Sequence, residues 1–322
     1  MNRTTDFMLN LVKQLIEQKK ITESSASLYI RNLYSLNEKK PYTSLTFLKN
    51  VENIDKILSE YSNNTKKTML ASIVSVLSLF NDKPTYKKVY KHYYDEMMKK
   101  GTEMKQEENG EKNEKQKENW VEWKDVEDIK NKLYNDCLAF EKTKQISIEQ
   151  YNKLLSLMIL SLYTDMPPRR NQDYTSMVVI TAKKGMKVED LPKEHNYLII
   201  DKKIPKEFVF NKYKTSKKYG TQILTITSPL NGIISMYLKW SPIESKKDTA
   251  MPFLLYSNGE PLSAVNSITR ILNKLFGKKV GSSMLRHSYL TSKYGEVKKE
   301  QEDDAKAMGH SVSEQQNEYV KK

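Results

Sequence analysis

Residues 208–226 read FVFNKYKTSKKYGTQILTI. Apolar β-formers lead in, a run of Lys, Tyr, Thr and Ser follows, and Gly220 precedes a second alternating run. That pattern predicts a strand, a tight basic turn and a second strand. It also separates the chain from an all-helical protein. Short extended runs at 177–181 and 197–200 precede it, and with 207–210 and 222–227 they predict one small antiparallel sheet. Helical periodicity surrounds these runs. It covers 120–140 through Val126, Ile129, Leu133 and Cys137, and then a more apolar stretch with Leu154, Leu155, Met158, Ile159 and Leu162. It returns at 232–238, 264–276 and 283–293, and as a final pair of helices on either side of Gly309.

Nearer the N-terminus the chain reads as helical throughout. Phe7, Leu11, Leu15 and Ile16 make one stripe. Ala26, Tyr29, Ile30 and Leu33 make another, opened by Thr22, Glu23, Ser24 and Ser25. Met69, Ile73, Val76, Leu77 and Phe80 make a third, ended by Asn81, Asp82 and Pro84. Short amphipathic helices with polar joints predict a small helical bundle over 1–100. Residues 101–119, GTEMKQEENGEKNEKQKEN, hold one Met among charged, polar and Gly residues. Such a stretch cannot bury enough apolar surface to offset its ordering entropy, so it reads as a linker or an exposed helix extension. The fold class expected is therefore mainly α with a small antiparallel β-sheet, in two domains, 1–100 and 120–322.

The 54 Lys and Arg against 40 Asp and Glu give a formal net charge of +14. The pI is about 9.3. This balance favours a polyanionic partner, nucleic acid first and an anionic membrane surface second. One cysteine, Cys137, excludes an intramolecular disulfide and a Cys-cluster metal site, and fits an intracellular protein. No run approaches the ~18 apolar residues of a membrane span, and the amphipathic N-terminus does not read as a secretory signal. No P-loop, DxD cluster or His/Cys metal spacing is present.

Three stretches carry candidate chemistry. In TDMPPRRNQDYTSM, at 164–177, two prolines stop a helix and set the backbone that follows. Arg170 and Asp173 then form an Arg-x-x-acid step in which the carboxylate can hold the guanidinium, and Arg169 adjoins them. In the basic hairpin, Lys214 lies just before the turn, and Thr215 and Ser216 are suited to donate to phosphate. The same hairpin is also a common edge device with protective lysines. At the C-terminus come GSSMLRHSYLTSKYG (281–295) and AMGHSVSEQQNEYVKK (307–322). Ser282 or Ser283 can cap a helix that carries Arg286 one turn in. Gly309 suits a C-cap and Ser311 or Ser313 the next N-cap. Tyr319 falls nine residues after His310.

Taken in order, these pieces resemble the tyrosine recombinase (integrase) family. The most specific are Leu-Arg-His-Ser at 285–288 and Gly-His-Ser at 309–311. The resemblance covers 120–322 well and the N-terminal helices more loosely. It implies a core DNA-binding domain over 1–100 and an α+β catalytic domain over 120–322. It implies one active site made of Arg170 with Asp173, Lys214, Arg286, His310 and the nucleophile Tyr319. The PPRRNQDY wording is similar to variants from large DNA viruses and mobile elements. Ser283 stands where the family has a histidine, a departure shared with type IB topoisomerases. Only three residues follow Tyr319, so coupling between protomers is expected to use other surfaces.

What the resemblance implies is chemically coherent. Attack of a phenol on a phosphodiester puts charge on the non-bridging oxygens, which two guanidinium groups, Arg170 and Arg286, would clamp bidentately. His310 would add a third donor. Losing one such preorganised donor costs on the order of 3 kcal/mol, or roughly 10²-fold. A free phenol of pKa about 10 is nearly all protonated at neutral pH, and a cationic cluster favours the phenolate. Lys214 would protonate the leaving 5′-oxygen. The 3′-phosphotyrosyl product keeps the ester energy, so neither metal nor nucleotide cofactor is required. The expected partners are double-stranded DNA and further copies of the chain, as a dimer or tetramer on DNA. A type IB topoisomerase and a DNA-binding protein whose site has decayed remain the alternatives.

Overall fold

The computed structural model describes residues 4–80, 82–107, 110–242, 251–264 and 266–320. Asn81, Lys321 and Lys322, named above, lie outside these. The chain divides into two compact units, Met1–Glu111 and Lys112–Lys322.

The first unit is built from α1 (Asp6–Lys19), α2 (Glu23–Leu36), α3 (Val51–Ser59), α4 (Asn63–Leu77) and α5 (Pro84–Glu107). Polar side chains set the starts. The hydroxyl of Thr5 accepts from the Met8 amide, that of Thr22 from Ser25, and Asn50 accepts from Asn53. Proline opens α5, where its missing N–H is harmless. Leu11, Leu15, Leu33, Leu58, Ile73 and Leu77 fill the centre. Fully burying each contributes about 1.5–3 kcal/mol. Tyr93 of α5 is buried with them, and its hydroxyl donates to the Leu48 carbonyl at 2.9 Å.

The second unit opens with α6 (Glu114–Asn119), which a reciprocal Asn113–Gln116 capping box starts. Most of 101–119 is thus helical, as the end of α5 and as α6, because Lys, Glu and Gln are strong helix formers. Then follow α7 (Trp123–Leu138) and α8 (Ile148–Thr164). A second capping box, Ser147 with Gln150, opens α8. Helix α8 is apolar on nearly every side, which suits a helix surrounded by others. Its buried residues include Leu154, Leu155, Met158, Ile159 and Leu162.

After α9 (Asn171–Thr175) the chain enters the sheet: β1 (Met177–Thr181), β2 (Asn196–Asp201) and β3 (Ile204–Phe210). One-turn α10 (Ser216–Tyr219) separates β3 from β4 (Gln222–Thr225). Helix α11 (Ser228–Trp240), β5 (Met251–Pro252) and α12 (Ser267–Phe276) follow. The unit closes with α13 (Ser282–Met308) and α14 (Val312–Glu314), then a π-helical turn, Gln315–Tyr319. Helices α7, α11 and α12 pack on α8.

The strand order is β4-β3-β2-β1-β5. This corrects the expected antiparallel sheet: β1 and β2 pair in parallel, Met177 opposite Asn196. Pairs β2–β3, β3–β4 and β1–β5 are antiparallel, so the sheet is mixed. The reason is the connection at 182–195, long enough to carry the chain back before β2 begins, whereas a tight turn would have reversed it. That connection also covers the second face of the sheet, where Met186, Val188 and Leu191 pack on Tyr197, Ile199 and Val209. Among the described residues no helix is long and apolar enough to cross a membrane.

Cys137 is fully buried on α7, and burial, with Asp136 beside it, pushes its thiol up to about 12. A thiol held protonated in apolar surroundings is inert. We expect Ellman's reagent at pH 8 to leave the native protein unlabelled and to release one thiolate equivalent in 8 M urea. Labelling at the same rate in both states would contradict the packing of α7.

Candidate active site

The corner after α8 sets the site. Asp165 ends the helix, the chain passes Met166, Pro167 and Pro168, and Arg170 becomes the N-cap of α9 in an extended conformation (φ −78°, ψ 148°). That extended stretch turns Arg169 and Arg170 to different uses.

Arg169 is directed inward. Its Nε donates to Asp173 Oδ2 at 3.0 Å and its Nη1 to Gln222 Oε1 at 2.8 Å. Its guanidinium lies 3.8 Å from the centre of the Phe210 ring and 5.1 Å from that of Tyr213. Asp173 is only 3% exposed. Burial raises its carboxyl above the ordinary value, and the charge and hydrogen bond of Arg169 oppose that rise. A carboxylate does hold a guanidinium here, but it is that of Arg169 at i−4, not Arg170 at i−3. The helix begins only at Asn171, so helical spacing does not apply to the residues before it.

Arg170 and Arg286 face a shared cavity of about 300 Å³. Pro168, Arg169 and Asp173 form one side; Tyr213, Thr215, Tyr219 and Gln222 form another. Arg286 sits one turn inside α13, whose N-cap is Gly281 without a side-chain cap, so neither Ser282 nor Ser283 fills that role. Neither the Arg170 nor the Arg286 guanidinium has a hydrogen-bond or ion-pair partner among the described residues. Partial burial lowers the pKa of Arg286 and the neighbouring Arg170 charge lowers it further, while Tyr163 and Asp173 oppose the fall. Two unpaired cations in one small cavity raise each other's energy and favour an anion there. Behind them, the Tyr163 hydroxyl donates to Asn171 Oδ1 at 2.6 Å, and Asn171 Nδ2 donates to Thr269 Oγ1 at 2.8 Å. Burial, with Tyr174 beside it, holds the Tyr163 phenol well above its ordinary value.

The remaining candidates stand outside this lining. Lys214 is exposed, between Tyr213 and Thr215, which both reach the cavity. The expected tight turn is an arm, 211–221, containing α10 and ended by Gly220 at φ 67°. Ser283 is exposed and does not line the cavity.

His310 and Tyr319 stack on each other, ring centres 5.1 Å apart and 26° between planes, with Tyr319 64% exposed. Gly309 (φ 77°) is the C-cap of α13, and Ser311 caps α14 by accepting from Glu314 at 3.1 Å. Gln316 ties this segment to Gln301 of α13 at 3.1 Å. Where two helices were expected over 283–307, α13 is continuous through Gly295, because Lys, Glu and Ala dominate its second half. At about 1.5 Å rise per residue, Arg286 and Met308 stand about 33 Å apart along the axis. The structure therefore gathers Arg169, Arg170, Asp173 and Arg286, and keeps His310 and Tyr319 at the other end of α13.

Sequence reasoning missed Tyr219 and Gln222, and also Asn196. The side chain of Asn196 is buried at the start of β2. Its Nδ2 donates to the carbonyls of Asp173 (2.8 Å) and Lys212 (3.0 Å). Its Oδ1 accepts from the amides of Asn211 (2.9 Å) and Lys212 (2.8 Å). A polar residue opening a strand gives no local sign of such a role. No known protein-family model matches this chain, and no curated protein matches it in sequence.

Proposed function

We propose that this protein cuts and rejoins duplex DNA by transesterification, with the Arg170–Arg286 cavity as the seat of the scissile phosphate and Tyr319 as the nucleophile. The observation that carries the reading is the pair of unpartnered guanidinium groups in one cavity. Two planar forks there match the non-bridging oxygens of a phosphodiester.

In the step proposed, Tyr319 Oη bonds to phosphorus and the bond from phosphorus to the 5′-oxygen breaks. The phenol proton passes to water, and the 5′-oxygen takes a proton from Lys214. His310 donates to the same phosphate. Attack by a free 5′-hydroxyl on the 3′-phosphotyrosyl ester reverses the step. The reading has the segment after Gly309 brought to the phosphate on DNA, by a bend in α13 or from a second copy of the chain. Within this chemistry we favour a site-specific recombinase or integrase, working as a homo-oligomer on duplex DNA and resembling forms from viruses and mobile elements. The second reading is a type IB topoisomerase, which Ser283 in the place of a histidine favours.

The test is trapping on a library of nicked duplexes drawn from the genome that encodes the protein. Cleavage beside the nick releases a short strand and leaves the protein bound. We expect an adduct that survives SDS, with the DNA on the peptide containing Tyr319. No adduct on any duplex would overturn the cleavage reading in favour of plain DNA binding. Relaxation of supercoils at dilution, with no joint molecules from any pair of sites, would favour the topoisomerase.

A further inference from the structure

We propose that Arg169 is a positioning residue that sets the arm 211–221, and with it Lys214, against the cavity; this rests on the cleavage reading, in which Lys214 protonates the leaving oxygen. The arm leaves β3 at Phe210 and returns to β4 at Gln222. One guanidinium meets both roots of the arm and lies beside Tyr213, near the first. It covers the Phe210 ring, lies near Tyr213 and donates to Gln222, while Asp173 holds it from below. Asn196 makes a parallel connection through the main chain, from the Asp173 carbonyl to the amides of Asn211 and Lys212. Both routes converge on Asp173.

Adjacent arginines thus divide the work. Arg169 spends its Nε and one Nη on Asp173 and Gln222 inside the protein, and Arg170, with no such partner, is left to meet an anion. Lysine at 169 would retain a positive charge for Asp173. It could not lie flat on Phe210 and also reach Gln222, because only the planar fork does both. The arm would then move and carry Lys214 off line.

A substrate with sulfur in place of the bridging 5′-oxygen separates this role from a structural one. A thiol of pKa about 8.5 leaves as thiolate and needs no acid. On the oxygen substrate, we expect Arg169→Lys and Lys214→Ala to slow single-turnover adduct formation about 10²-fold, the usual worth of a general acid. On the sulfur substrate both should return to within about threefold of wild type, since the acid is bypassed. Gln222→Met, which removes one contact, should show a smaller loss with the same rescue. Amide hydrogen exchange at 211–221 should quicken in Arg169→Lys while β1 and β2 stay protected.

If Lys214→Ala is rescued by sulfur and Arg169→Lys is not, Arg169 does not act through the acid and the proposal fails. If wild type cleaves neither substrate, the cleavage reading falls with this role for Lys214. Unchanged exchange across the arm would overturn the positioning claim on its own.

Discussion

Tyr319→Phe is expected to give no covalent adduct on any nicked duplex that traps the wild type, while binding the same DNA equally well. Phenylalanine keeps the ring, its stacking on His310 and the packing of the C-terminal turn. It lacks only the oxygen that would bond to phosphorus. Arg286→Ala should behave differently, slowing adduct formation about 10²- to 10³-fold without abolishing it, as losing one preorganised donor to a developing oxyanion does. The contrast separates a nucleophile from an electrostatic contributor. An adduct undiminished in Tyr319→Phe would reassign the nucleophile. Tyr219 would then be tested first, because it is 57% exposed and lines the cavity with both arginines. Tyr289 is a weaker suspect, being packed edge-on against Trp123.

Asn196→Ala is expected to be the most destabilising single change around the site. The side chain makes four hydrogen bonds to main-chain groups and is fully buried. Alanine leaves those groups without partners, at about 3 kcal/mol in total once some water enters. That corresponds to a fall in Tm of roughly 6–12 °C for a unit of this size. Asn196→Asp should be no rescue, because a carboxylate oxygen would face the carbonyls of Asp173 and Lys212 where an amide now donates. Urea denaturation of wild type and both variants measures this. A loss below about 1 kcal/mol for alanine, no more than one ordinary hydrogen bond, would mean that the arm does not depend on Asn196.

Legibility followed the range of the forces involved. Periodic burial is local, so the stripes through Leu11, Leu33 and Ile73 and the apolar run of α8 could be read directly. Leu11, Leu33, Ile73 and the α8 run are buried, and Phe7, Ile16, Tyr29 and Phe80 pack partly buried against the core of the first unit. Caps are local too, which is why Gly309 and Ser311 fall where their side chains and backbone freedom suit them. Strand direction is not local. Nothing within 177–181 or 196–201 says that 182–195 crosses back to make them parallel. The pairing of Arg169 rather than Arg170 with Asp173 depended on where α9 begins, a matter of one residue that the prolines blur. Convergence of Arg170 and Arg286 could be expected only through the resemblance, since the two residues lie on separate elements. The continuity of α13 was missed because Gly295 and a change to charged residues resemble a stop. A helix long and polar enough continues through both.

That continuity has a consequence for safety. The second half of α13 is almost wholly exposed. Its last residue, Met308, lies about 33 Å along the axis from Arg286, with His310 and Tyr319 stacked on each other just beyond it. In the reading proposed here, a chance collision with DNA fills the cavity and breaks nothing. On that reading the cutter would be stored uncocked, its blade at one end of a rod and its anvil at the other. Breakage would wait for an assembly that joins them, so that geometry rather than affinity would limit damage from stray copies.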